Sequence, residues 1–147
     1  MPWLFEWYEY THTPCEPVAN EEYDKCKGKL LRREIYKLFS FTRAGTEFEK
    51  WAGLPEHGYI PESPNGPIIL EAKGLFFATP KAHKITLISD DGSRLKLIPG
   101  VIIIDNWGAH GVKAMQKELW LPPMALLQLT FFDNCWSGYL HISGDLI

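Results

Sequence analysis

Beyond residue 66 the periodicity of the chain becomes that of β-strands, and this half of the sequence most constrains the fold. Pro67 to Phe77 reads as one strand. Lys84 to Ser89 and Arg94 to Ile98 flank a turn at Asp90-Asp91-Gly92-Ser93, and Val101 to Ile104 reads as a continuously apolar, buried strand. Leu126 to Phe132 and Tyr139 to Ile142 follow, punctuated by Asp133-Asn134 and Ser137-Gly138. The spacing predicts a hairpin in which Leu87 pairs with Leu97. That register puts Ile85, Leu87, Leu95 and Leu97 on one face and turns Lys84, Thr86 and Lys96 to solvent.

The first half reads differently. Trp3, Phe5 and Trp7, with Leu4, Tyr8 and Tyr10 as the alternate set, predict a short extended strand. Asn20 then offers an N-cap, and Glu21, Glu22 and Asp24 fill a first turn where the helix dipole favours negative charge. These signals predict a helix over about Glu21 to Phe39, with Tyr23, Cys26, Leu30, Leu31, Ile35 and Leu38 as its apolar stripe. Thr46-Glu47-Phe48-Glu49 has the capping-box pattern, and Gly53 and Pro55 supply a stop, so a second, short helix is expected over about Glu47 to Ala52. Gly58 to Gly66, with Pro61, Pro64 and Asn65-Gly66, reads as a loop. Helices early and strands late imply an α+β fold: one or two N-terminal helices packed on an antiparallel β-sheet or partial barrel, in a single domain over 1–147.

With 147 residues, 46% hydrophobic and 22% charged, the composition is that of an ordinary soluble domain. Its apolar runs are far shorter than the ~20 residues of a membrane helix. The N-terminus lacks a basic leader, so a cytoplasmic location, in a host or bacterial cytosol, is expected. Cys15, Cys26 and Cys135 are odd in number and form no CxxC pair, which suits free thiols in a reducing compartment. Residues 1–24 carry acidic side chains and no Lys or Arg, whereas residues 25–37 reverse the sign. A net charge of −3 and an isoelectric point of about 5.9 argue against direct nucleic-acid binding.

Three groups of residues have the makings of catalysis. Pro61-Glu62, followed by Glu71-Ala72-Lys73, resembles the PD-(D/E)xK nuclease signature. Alternate strand residues face the same way, so Glu71 and Lys73 would project together while Glu62 supplies a second carboxylate. The resemblance implies Mg²⁺ held by Glu62 and Glu71, with Lys73 offsetting charge in the transition state. Asn134-Cys135-Trp136 resembles the nucleophile segment of some papain-like hydrolases, with His57, His83, His110 and His141 as candidate bases. His12 in Thr11-His12-Thr13 and His141 in Leu140-His141-Ile142-Ser143 resemble the paired motifs of 2H phosphoesterases. No histidine pair has HxH or HxxxH spacing, so no resident metal or other cofactor is expected outside the nuclease reading. Arg94 to Ile104 with Pro99-Gly100, then Leu121-Pro122-Pro123, is similar to jelly-roll proteins of the dUTPase type, which supports β architecture.

Each of these signatures covers few residues, and the larger feature is the 14% aromatic content. Trp3, Trp7, Tyr8 and Tyr10 lie among acidic residues, the composition of an interface hot spot. The reading favoured is therefore a binding or inhibitor-type protein, of the viral or immunity kind, rather than an enzyme. It would occupy a surface on a macromolecular partner, a basic protein that itself binds nucleic acid, and at least one of Trp3, Trp7 and Tyr10 would be exposed.

Overall fold

The computed structural model describes residues 2–10, 26–36, 40–43, 58–62, 66–98, 100–134 and 138–144. The elements are β1 (Trp3–Tyr10), β2 (Lys27–Tyr36), β3 (Ser40–Thr42), β4 (Gly58–Tyr59), β5 (Ile68–Phe77), β6 (Ala82–Asp90), β7 (Ser93–Leu97), β8 (Val101–Asn106), β9 (Lys113–Trp120), β10 (Met124–Asp133) and β11 (Tyr139–Gly144). A six-stranded sheet has the order β2-β1-β5-β10-β7-β8, and a five-stranded sheet the order β4-β3-β11-β6-β9. Neighbours run antiparallel except β3 and β4. The two sheets pack face to face as a β-sandwich.

Alternation builds the core from both sides. Trp3, Phe5 and Trp7 of β1, Leu70, Ala72 and Phe76 of β5, and Leu127, Leu129 and Phe131 of β10 point inward from the larger sheet. Phe41 of β3, Ile85 and Leu87 of β6, and Leu140 and Ile142 of β11 meet them from the smaller one. The Phe41 ring lies 5.0 Å from that of Phe5 and 5.2 Å from that of Trp7, and Trp3 meets Phe76 edge to face at 5.0 Å. Gly74 makes the Trp3 contact possible, because a Cβ there would stand 2.9 Å from the indole.

The α+β expectation is wrong, since no helix is present among the described residues. The chain from Lys27 to Tyr36, expected as helix, is instead an edge strand pairing Trp3 with Tyr36 and Phe5 with Glu34. Its Lys, Leu, Arg and Glu residues are good helix formers, but propensity is a weak prior. The backbone groups along one side of β1 need a ladder partner, and an edge strand tolerates charge on both faces. The expected helix over Glu47 to Ala52 lies outside the described residues.

The predicted hairpin is also absent. Leu87 lies opposite Ile142 and Met115, and Leu97 opposite Leu127 and Val101, so β6 and β7 belong to different sheets. Ile85, Leu87 and Leu95 still point inward, but from opposite walls, while Leu97 and Lys96 are both half-buried. Alternating strands bury an apolar face equally well by pairing side by side or by facing across a sandwich. Val101 to Ile104 lies in the edge strand β8, where Val101 and Ile102 are exposed and, of these four residues, Ile104 alone is buried. Strand β9, which the sequence did not suggest, is an edge of the smaller sheet.

Candidate functional site

The Asp90-Asp91-Gly92 connection carries the chain from β6 in one sheet to β7 in the other, and its Asp90-Asp91 peptide is cis. At the same end of the sandwich, β10 finishes at Asp133. Carboxylate oxygens of Asp90, Asp91 and Asp133 lie within 4.8 Å of one another. Asp91 is held by main-chain donors on both oxygens: the His110 amide donates to Oδ1 at 3.1 Å and the Asn134 amide to Oδ2 at 2.9 Å. Arg43, just after β3, donates through Nε to Asp133 Oδ2 and through Nη2 to the Gly66 carbonyl at 2.5 Å. The Arg43 amide in turn donates to the Gly138 carbonyl at 3.1 Å. Arg43 therefore ties the ends of both sheets together at this corner.

Electrostatics make the corner a demanding place. Burial pushes the Asp133 carboxyl well above the usual carboxylate range, against the opposing pull of Arg43. Asp91 is also raised by burial, partly offset by the amides of Asn134 and His110. Asp133 is wholly buried, yet its Oδ1 has no hydrogen-bond partner, and neither does the buried Oδ1 of Asn134. An orphaned carboxylate oxygen in such a setting is costly unless something pairs with it. Three carboxylates converge here, and one of them, Asp133, engages the Arg43 guanidinium through Oδ2 alone. The donor set is all oxygen, suited to a hard cation such as Ca²⁺.

A second layer fixes these groups. Ser89 and Ser93 share a hydroxyl contact of 2.6 Å, and Asn106 Nδ2 donates to Ser89 Oγ at 3.2 Å and to the Lys113 carbonyl at 2.9 Å. His110 places Nε2 2.9 Å from the Asn106 carbonyl, which positions the amide that it presents to Asp91. Gly138 is required by proximity, because a Cβ there would stand 2.1 Å from Asp133 Oδ2.

Of the residues singled out from sequence, Asn134 and His110 are at this corner, where their main-chain amides hold Asp91, and the others among the described residues lie elsewhere. Glu71 and Lys73 do share the outward face of β5, as the strand period requires, but Glu71 Oε1 accepts from Lys27 Nζ at 3.0 Å. Glu62 is exposed beyond β4 of the other sheet and makes no ion pair among the described residues. Trp3, Trp7 and Tyr10 are buried, which overturns their role as an exposed patch: Trp3 and Trp7 point into the sandwich core, and Tyr10, beyond a register shift in β1, is covered in a second cluster with Cys26, Ile69 and Phe132. Tyr8 is half-buried, with Lys27 Nζ 4.6 Å from its ring centroid. His141 is half-buried on β11, where burial lowers its pKa, while His12, His57, Cys15, Cys135 and Trp136 lie outside the described residues. The acidic corner had one legible signal, carboxylates closing two strand-like runs at Asp90-Asp91 and Asp133-Asn134. Nothing local indicated that the two ends meet.

No family model matches the chain, and no curated protein matches it in sequence. Solved structures do share its fold. A PA14 sugar-binding domain from an RTX adhesin superimposes with a TM-score of 0.69 over 99% of this chain and 89% of its own, at 14% identity. The A domain of epithelial adhesin 9 from Candida glabrata, in complex with Galβ1-4GlcNAc, gives 0.60 over 98% of this chain and 81% of its own, at 11% identity. A β-glucosidase from Kluyveromyces marxianus, in complex with glucose, gives 0.57 over 99% of this chain but 16% of its own, at 13% identity. The chain folds as a PA14-like β-sandwich.

Proposed function

We propose that this protein is a carbohydrate-binding module that holds its ligand at the Asp90, Asp91 and Asp133 corner through a divalent cation. The reading keeps the binding class expected from the sequence and changes the ligand from a macromolecular surface to a saccharide. One observation carries it: three carboxylates from two strand ends converge beside the partnerless Oδ1 of a wholly buried Asp133. The PA14-like fold supports it, because similar folds include sugar-binding adhesin domains.

Asp90, Asp91 and Asp133 would hold the cation, with Asn134 Oδ1 as a further oxygen donor. Ca²⁺ takes 6–8 oxygen ligands, so a cation held by these residues would have coordination capacity left for saccharide hydroxyls. The chain supplies the rest. Main-chain donors from His110 and Asn134 keep Asp91 in place, and Arg43 orients Asp133 by engaging Oδ2 while leaving Oδ1 available.

A glycan array probed with the full chain tests the reading. Binding is expected in millimolar Ca²⁺ and is expected to be lost in EDTA and in Asp91→Asn. A folded chain that binds no glycan in Ca²⁺, or binds equally well in EDTA, would overturn it.

A further inference from the structure

The outward face of the larger sheet changes character along β5 and β10. At the end away from Asp133, Leu75 lies opposite Leu126 and Phe77 opposite Met124. These four are 43, 40, 68 and 63% exposed, respectively. Their alternates Gly74, Phe76, Ala125 and Leu127 point into the sandwich, so the four stand side by side on one outer surface. The Ile98 amide donates to the Leu126 carbonyl at 2.9 Å, which extends the apolar block toward β7. Next in the chain to Phe77 and Met124 are Ala78 and Pro123, joined by a 2.9 Å hydrogen bond from the Ala78 amide to the Pro123 carbonyl. Both line a cleft of about 270 Å³ whose lip is Trp120, 68% exposed. A contiguous apolar block of this kind, with a cleft at its margin, is the form of an interaction surface rather than of scattered exposed residues.

Charge selects the partner. In the row beside the block, Gln128 stands between Lys73 and Lys96, its neighbours on β5 and β7. Three carboxylates of the larger sheet are already paired: Glu6 with Arg33, Glu71 with Lys27 and Asp105 with Arg94. Lys73 and Lys96 make no ion pair among the described residues, which leaves the margin of the apolar block positive. A second copy of the same block would bring its own Lys73 and Lys96, so like charges would meet at the margin. The block is made from paired strand residues rather than protruding loops, and suits another protein's apolar face better than a bilayer.

We propose that this face docks an acidic amphipathic protein segment. Its apolar side chains cover Leu75, Phe77, Met124 and Leu126, one of them enters the Trp120 cleft, and its carboxylates pair with Lys73 and Lys96. The surface lies at the opposite end of β5 and β10 from the saccharide corner and does not depend on that reading.

Two synthetic helical peptides with the same leucine face, one carrying Glu and the other Lys on its polar face, are titrated against the isotope-labelled full chain. The Glu peptide is expected to bind at least about tenfold more tightly, with affinity falling as salt is raised. It should shift the amide resonances of residues 73–78 and 124–128. Lys73→Glu with Lys96→Glu should reverse the preference. Phe77→Ser should weaken the Glu peptide by about tenfold or more without altering thermal unfolding, and Asp91→Asn should leave its binding unchanged. Equal affinity for the two peptides, or a footprint elsewhere, would overturn the proposal. So would co-sedimentation with phosphatidylserine vesicles, or a wild-type dimer, that Phe77→Ser abolishes.

Discussion

The Asn134 main-chain amide donates to Asp91 Oδ2 at 2.9 Å across a separation of 43 residues in the chain. This bond joins the end of β10 to the connection between β6 and β7, so the two strand ends that carry the acidic residues are held as one unit. Its geometry makes Asp91 a structural acceptor as well as a candidate ligand, and the two roles separate by experiment.

Calcium is expected to raise the unfolding temperature of the full chain, because a ligand bound only to the folded state adds RT ln(1 + [L]/Kd), about 2.7 kcal/mol at a hundredfold excess over Kd. Differential scanning fluorimetry with Ca²⁺ and with EDTA measures this. Asp133→Asn should remove the shift. A shift that persists in Asp133→Asn would place the cation elsewhere.

The pH dependence follows from the same carboxylates. Burial raises Asp91 and Asp133 above their ordinary value of 3.8, so across the interval from 3.8 up to the raised values the folded chain binds more protons than the unfolded one. Their contribution to stability therefore decreases as pH rises through that interval. Cation binding needs the ionised forms and moves the opposite way. Urea titrations across the interval should show the Ca²⁺-dependent increment growing with pH, and an increment independent of pH would count against these ligands. Glu6, lowered chiefly by its hydrogen bond from Arg33, contributes with the reverse sign below 4.5.

Gly138→Ala should destabilise the fold by about 1–3 kcal/mol and abolish the Ca²⁺ shift, since the new Cβ would stand 2.1 Å from Asp133 Oδ2. Gly111→Ala meets nothing within 4 Å and should change both by little. Paired denaturation curves give the comparison.

Truncating the buried aromatics tests their place in the core. Trp3→Ala and Trp7→Ala should each cost about 3–5 kcal/mol by urea unfolding. Tyr8→Ala, on the outward side of the same strand, should cost much less. Comparable small losses at all three positions would return Trp3 and Trp7 to the surface.

Local periodicity was sufficient to locate strands at Trp3–Tyr10, Ile68–Phe77, Ala82–Asp90, Ser93–Leu97, Met124–Asp133 and Tyr139–Gly144, though not their edges. A period of two needs no knowledge of partners: Leu70 and Ala72, or Ile85 and Leu87, declare an inward face wherever the strand is placed. Partner choice is a property of the whole chain. Lys27–Tyr36 became a strand because β1 lay beside it, and β6 and β7 parted into opposite sheets because either arrangement buries the same leucines. The convergence of the candidate site belongs to this second kind of information. Asp91, the adjacent pair Asp133 and Asn134, and Arg43 come from three strand ends, and they meet because the folded sandwich places those ends at one corner. Short-range pattern fixes which way a side chain points, whereas long-range hydrogen-bonded pairing fixes what it points at.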